Sequence, residues 1–297
     1  MDVPVPDEVP APARRRAGRT EKVLVQQHGP AATGARSPDE VIVEEPLSIE
    51  LDGTLVATTM RTPGHDFELA SGYCFTEGLL RGAPVLRCRY CAHGSALDSE
   101  YNLVSVETGG RAPAAVPRLS ATSSSCGVCG TTSIDELTAR LTPLERPEPF
   151  PLDLLAELPE RARSGQRLFA RTGGVHAAAA FDREGRVVVL REDIGRHNAV
   201  DKVVGRLLLD GRTTETATSA DDRSARTPAS TADMALYVSG RASFEMVQKA
   251  WAAGFVAVVA VSAPSSLAVR TAEAAGMQLA GFAREGGLNL YVGAAAR

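Results

Sequence analysis

Residues 121–130, "ATSSSCGVCG", place Cys126 and Cys129 two positions apart among small polar residues and glycine. Two thiols at this spacing can fill two corners of a tetrahedral zinc site. Alternatively, one can carry sulfur while the other receives or resolves the bond. Cys88 and Cys91 form a second pair at the same spacing, so four thiolates are available for zinc. The intervening segment, 92–125, is longer than a short zinc-ribbon spacing and contains an expected strand. Thiol chemistry asks for an accessible sulfur held partly as thiolate. A helix is expected at 132–141, where Ser133 and Glu136 have capping-box spacing and Asp135 joins the first turn. Its N-terminal field favours a thiolate that points at it. Spacing alone leaves zinc ligation and thiol chemistry both open. Cys74, inside the helical pattern "LASGYCFTEGLL", reads as a small buried hydrophobe. Cys88 and Cys91, among Arg87, Arg89, Tyr90 and His93, receive no role.

A second group of chemically capable residues lies downstream. In "REDIGRHNAVDKVVG" (191–205) a strand ends and a helix begins. Asp193 precedes the helix, Arg196, His197 and Asn198 fall in its first turn, and Asp201 and Lys202 lie one turn on. "SGRASFEMVQKA" (239–250), with Arg241, and "SAPSSLAV" (262–269) repeat the strand-to-helix arrangement. Three such junctions on one sheet edge would gather free N–H groups, arginines and hydroxyls into a cleft suited to phosphates. For a single junction, helix capping and surface salt bridges explain the same residues. His176 in "TGGVHAAAA" follows two glycines that permit close backbone approach, which makes it a site candidate. Zinc deaminases pair H-x-E with P-C-x-x-C. His176-Ala177-Ala178 lacks the glutamate and no such cysteine pair follows, so deamination is disfavoured.

The elements that must position these groups are legible from periodicity. Residues 1–38 are rich in Pro, Ala, Arg and Gly and read as a mostly disordered tail. Short strands follow at 41–45, 47–51 and 54–60, with Asp52-Gly53 as a hairpin signal. A helix at about 65–80 and a strand at 101–107 complete a β-rich N-terminal part, 39–150, that contains the Cys126/Cys129 loop. A helix at 152–163 opens the second part, 151–297, where strands and helices alternate as in an α/β layered domain with a substantially parallel sheet. Residues 210–232 are polar and interrupt this alternation as a flexible insertion.

The chain of 297 residues carries a formal charge of −4, which argues against non-specific nucleic-acid binding. Its longest apolar runs are strand-length, so no membrane span is expected. Arg14 to Arg16 are followed by no apolar stretch, so they are not read as an export signal, and a cytoplasmic protein is expected.

Together these segments, with "GFAREGGLNLYV" at 281–292, resemble the FdhD-type formate dehydrogenase accessory sulfurtransferase family. The resemblance runs from about residue 40 to the C-terminus. It implies a β-rich N-terminal part, a three-layer α/β domain layered like cytidine deaminase, and a homodimer. It implies that sulfur is taken as a persulfide from a cysteine desulfurase. That sulfur would pass to the bis-molybdopterin guanine dinucleotide cofactor of a formate dehydrogenase catalytic subunit. The cofactor would be bound as a client, with no resident metal, and guanine nucleotide would mimic it. Cys126 matches the persulfide position, with Cys129 as its companion. The cofactor-binding segment falls on Phe282, Ala283, Arg284, Glu285, Gly286 and Gly287, although a basic residue is expected where Gly287 stands. Arg191, Arg196, Arg241 and Arg284 become expected phosphate partners. His197, Asn198 or Asp193 would read a guanine edge, and Phe244 or Phe282 would stack on it. Two other readings stay open: a zinc-stabilised binding module, and a nucleotide-binding chaperone that protects the cofactor without moving sulfur.

Overall fold

Leu47, Ile49 and Leu51 are all buried and alternate with polar neighbours, the period-two pattern of a strand with one face in a core. The computed structural model describes residues 18–29, 34–91, 99, 101–114, 141–145, 148–213 and 230–294. In it β3 (Glu45–Leu51) turns through Asp52 and Gly53 into β4 (Thr54–Arg61). Both turn residues have positive φ, 47° and 83°, which lets a two-residue turn follow the twist of its strands. β6 (Leu103–Glu107) pairs in parallel with β3, and β5 (Arg87–Tyr90) adds antiparallel to β6. Helix α1 (Asp66–Thr76) covers one face of this sheet, and its Leu69, Ala70 and Cys74 join the buried strand residues in one cluster.

Part of the expected tail is strand. β1 (Thr20–Gln26) and β2 (Arg36–Ile42) form an antiparallel ribbon. Backbone pairing over the whole length of both strands holds it, and its side chains are mostly exposed. No apolar period was therefore present to announce it. Residues 1–17 lie outside the described residues.

The second part is a six-stranded sheet in the order β12-β11-β10-β9-β7-β8. The strands are β7 (His176–Phe181), β8 (Val187–Asp193), β9 (Ala235–Val238), β10 (Ala257–Ala260), β11 (Gln278–Arg284) and β12 (Gly287–Val292). Ala178 and Ala180 face one side, against α4 (Arg196–Leu209), α5 (Phe244–Ala253) and α6 (Ser266–Ala275). Ala179 and Phe181 face the other, against Leu155, Leu158 and Ala162 of α2 (Leu152–Arg163). A short helix, α3 (Arg167–Thr172), leads into β7. The result is a three-layer α/β arrangement.

The sheet is mixed rather than substantially parallel. Only β9/β10 and β10/β11 pair in parallel, whereas β7/β8, β7/β9 and β11/β12 are antiparallel. The turns after β7 and β11 are too short for a crossover, and strands joined so tightly must run antiparallel. Of the expected insertion, 214–229 lies outside the described residues. Thr231, at its far end, is buried and donates its N–H to the Arg212 carbonyl at 3.0 Å.

The two parts join where α1 crosses α4. A Cβ built on Gly72 would overlap the Asp201 carbonyl, and one on Gly205 would overlap the Glu68 carbonyl. Both helices therefore meet backbone to backbone. Gly205→Ala should destabilise the protein by about 3 kcal/mol or more, since the clash is with main chain and cannot be relieved by a rotamer. The urea midpoint checks this, and a wild-type midpoint would contradict the tight crossing.

Candidate functional site

Strand direction gathers the candidate residues. β7 runs antiparallel to β8 and β9, so His176 at its start pairs with Asp193 at the end of β8. β9 and β10 end at the same edge, with Val238 beside Ala260. The junctions leading into α4, α5 and α6 thus lie on one sheet edge with His176, as the phosphate-cleft reading requires. An isolated parallel bridge between Ala242 and Pro264 links the second and third junctions. Ser239 accepts the Ala177 N–H on its hydroxyl at 2.8 Å, which seals the second junction to β7.

β11 reaches the same edge and ends in a tight turn. Glu285 and Gly286 both have positive φ, 51° and 74°, and Arg284 pairs with Gly287 across them. This is a two-residue hairpin turn. A register shift between Gly281 and Arg284 forms a bulge at which Phe282 also takes positive φ, 53°. The bulge leaves Phe282 exposed and Ala283 fully buried.

A cleft of about 1370 Å³ opens at this edge on the α2 side of the sheet. Its walls include His176, Ser239, Arg284, Glu285 and Gly286, together with Arg163 from α2. Ala283 contributes buried backbone, while Phe282 and Gly287 do not line the cleft. Burial lowers the His176 pKa from its ordinary value, helped by the nearby Arg196 and His197. Its ring is therefore neutral at pH 7 and can donate on one nitrogen and accept on the other.

Arg196, His197, Asn198 and Arg241 sit at the same edge but do not line this cleft. Arg241 is exposed. Arg196 Nε and Ser243 Oγ are buried with no hydrogen-bond partner among the described residues. His197 Nε2 lies 2.5 Å from Glu245 Oε2. Phe244 is buried among the α5 residues and cannot stack on a ligand as it stands.

Asp193 and Asn198 are committed inward. Asp193 is fully buried and accepts from Lys202 Nζ at 2.6 Å, Gly195 N at 2.8 Å and Thr62 N at 3.2 Å. Asn198 Nδ2 donates to the Met60 carbonyl at 2.7 Å and to Asp193 Oδ1 at 3.0 Å. Neither is free to read a base edge, since its polar atoms already hold the N-terminal sheet against β8. Arg191 likewise donates from Nε and Nη2 to the two oxygens of Glu68, at 2.5 and 2.8 Å, so its fork is turned away from the cleft.

Asp201 and Lys202 also leave the phosphate reading. Lys249 Nζ bonds both Asp201 oxygens, at 2.9 and 3.0 Å, together with Thr76 Oγ1 at 2.8 Å and Glu77 Oε1 at 3.0 Å. Burial pushes the Lys202 pKa down, with Asp193 acting against it. The carboxylates around Lys249 overcome its burial and hold it charged. Lys249 had no sequence signal beyond being a lysine on the apolar helix "FEMVQKAWAA". Arg163, Gln166 and Phe169 of the cleft were also missed, since only the docking of α2 and α3 under the sheet brings them there.

Cys126 and Cys129 lie outside the described residues, as does the expected helix at 132–141 except Leu141. Cys74 is buried, and burial drives its thiol pKa far upward. Burial raises the Cys88 thiol to about 11. Cys91 is buried, with Sγ 2.8 Å from Ser99 Oγ. Among the described residues, no group of three His, Cys, Asp or Glu side chains could hold a metal ion. No helix among them is long and apolar enough to cross a membrane.

The sequence model of the FdhD/NarQ family matches residues 42–296. This chain belongs to the FdhD/NarQ family. It is 46% identical over 293 residues to the sulfur carrier protein FdhD of Streptomyces avermitilis, covering 94% of this chain and 95% of that one. It is 45% identical over 266 residues to the sulfur carrier protein FdhD of Corynebacterium efficiens, covering 86% and 90% respectively. Among solved structures it is similar to a candidate formate dehydrogenase accessory protein from Desulfotalea psychrophila. The TM-score is 0.69 at 23% identity, with 92% of this chain and 95% of that chain covered. That likeness speaks for the fold.

Membership in the family leaves the acid behaviour of this chain to its own charges. Burial alone would raise the Glu68 pKa, but hydrogen bonds from Arg191 and His65 hold it down at about 2, below the ordinary 4.5. A depressed carboxyl contributes stability that is full above the unfolded value and lost as pH falls through the folded one. Unfolding free energy should therefore drop between pH 4.5 and about 2, and Glu68→Gln should flatten that part of the curve. Denaturant titrations at several pH values check it.

Proposed function

We propose that this chain is a sulfur carrier in formate dehydrogenase maturation. It accepts sulfur from a cysteine desulfurase as a persulfide on Cys126 and delivers it to a bis-molybdopterin guanine dinucleotide cofactor. The reading is carried by chain-long similarity to proteins named sulfur carrier protein FdhD.

The loading step balances without an oxidant. The Cys126 thiolate attacks the outer sulfur of the donor's persulfide, and the donor leaves as a thiolate. For release, the Cys129 thiolate attacks Cys126 Sγ. A Cys126–Cys129 disulfide forms, the two cysteines supply two electrons, and the outer sulfur leaves as sulfide. A cellular thiol reductant then restores the pair. The dinucleotide arms of the client supply phosphates and guanine edges for recognition.

The residues at this sheet edge fit such a polyanion. The cleft exceeds the roughly 300–1,000 Å³ of ordinary small-ligand sites, and both Arg163 and Arg284 line it. Arg196 Nε and Ser243 Oγ, buried and unpartnered, are donors in want of an acceptor at the same edge. Neutral His176 offers hydrogen bonding rather than charge. Cytoplasmic location and a homodimer belong to the same reading.

Intact mass of the protein after incubation with a cysteine desulfurase and cysteine tests the carrier role. One added sulfur atom is expected, and it should be absent in Cys126→Ser, which still folds. Stoichiometric zinc with no added sulfur would overturn the reading in favour of a metal-stabilised module. Undiminished maturation by Cys126→Ser would leave a chaperone instead. For the cleft, Arg284→Ala should weaken guanine-nucleotide binding about tenfold or more, the loss of one charge-assisted phosphate contact. Calorimetry reads this, and the thermal midpoint should not move.

A further inference from the structure

Helix α3 stands between two cavities. Phe169 and Ala170 face the large cleft, whereas Arg167, Leu168 and Arg171 help to line a second cavity of about 660 Å³. The other walls of the second cavity include Arg19 at the foot of β1, His65 at the start of α1, and Arg191 and Glu192 on β8. Four arginines from three separate stretches of chain thus surround one small space.

The carboxylates nearby already have partners. Glu192 accepts the backbone N–H groups of Leu168 and Phe169, at 2.9 and 2.8 Å. Glu68 is gripped by Arg191 and lies 3.4 Å from His65 Nδ1. Glu40 takes Arg171 and the Thr20 hydroxyl. Two guanidinium groups remain. Arg167 is exposed and makes no ion pair among the described residues. Arg19 donates from Nη2 to the Glu192 carbonyl at 3.3 Å, yet its Nε is buried with no partner. Burial lowers the pKa of Arg19. A buried, charged donor without an acceptor is destabilising unless something fills the gap.

We propose that this cavity is a second anion site that binds a small diphosphate-bearing ligand, held by Arg19 and Arg167 with His65 and Arg171 at its rim. The planar guanidinium fork matches phosphate oxygens in a way a lone ammonium does not. The volume is that of a small-molecule site. The site lies across α3 from the large cleft and does not depend on the sulfur-carrier reading. Its failure would leave persulfide loading on Cys126 untouched.

Calorimetric titration of inorganic pyrophosphate into the full chain tests the site. Saturable binding is expected, weakened about tenfold or more in Arg167→Ala and kept in Arg284→Ala, which alters only the large cleft. Arg19→Ala should act in the same direction. Because Arg19 is partly buried, its thermal midpoint is read alongside, and Arg167→Ala, on an exposed residue, carries the decision. No binding by the wild type would overturn the proposal, as would wild-type affinity in Arg167→Ala. The source of the diphosphate is read from formate dehydrogenase maturation with Arg167→Ala. A loss there assigns the diphosphate to the client cofactor, and no change assigns it to a free ligand.

Discussion

The approach of α1 to α4 sets the geometry on which the rest depends. Gly72 and Gly205 remove the side chains that would hold the helices apart, so main chain meets main chain. At that distance Thr76 can donate to Asp201 at 2.8 Å, and Lys249 from α5 can bridge both. The adjacent residue, Lys202, reaches Asp193 and the Thr62 carbonyl on the other side. Buried ion pairs add little net stability over apolar packing, but they are strongly destabilised when one partner is lost. Two of them on successive residues of α4 therefore fix the rotation of the helix as well as its position.

That fixation carries through to the candidate site. α4 begins at the sheet edge, so its orientation determines where Arg196 and His197 stand relative to His176. The sheet divides the edge in two. The α2 side holds a wide cleft with Arg284 and His176, and the α4–α6 side presents Arg196, Arg241 and the His197–Glu245 pair. Both faces are cationic or polar.

Much of this was legible in the sequence. The helix at 152–163, the helix opening near Arg196 and the paired turn at Asp52-Gly53 follow from apolar period and turn chemistry, and the structure places them at Leu152–Arg163, Arg196–Leu209 and the β3–β4 turn. The gathering of three junctions on one edge also followed from strand alternation. What sequence could not tell was partner choice. Asp193 and Asn198 look like ligand-reading residues because they sit in a polar first turn, yet Lys202 and Met60 claim them. The β1–β2 ribbon was missed except at Val41 and Ile42, the end of β2, because its stability comes from main-chain pairing, which leaves no side-chain period. The parallel sheet was overread because a strand–turn–strand unit and a strand–helix–strand unit look alike when only apolar runs are counted.

The fate of the remaining thiols bears on fidelity. A sulfur carrier faces the hazard that its cargo will migrate to whichever cysteine is most nucleophilic. Cys74 is sealed in the core, Cys91 is buried with Sγ against the Ser99 hydroxyl, and Cys88 stays almost wholly protonated at neutral pH. Protonation and burial act as insulation, so these three cannot compete for cargo or become trapped in stray mixed disulfides. The N-terminal sheet and the helix packed on it thereby keep all three of these thiols out of sulfur chemistry.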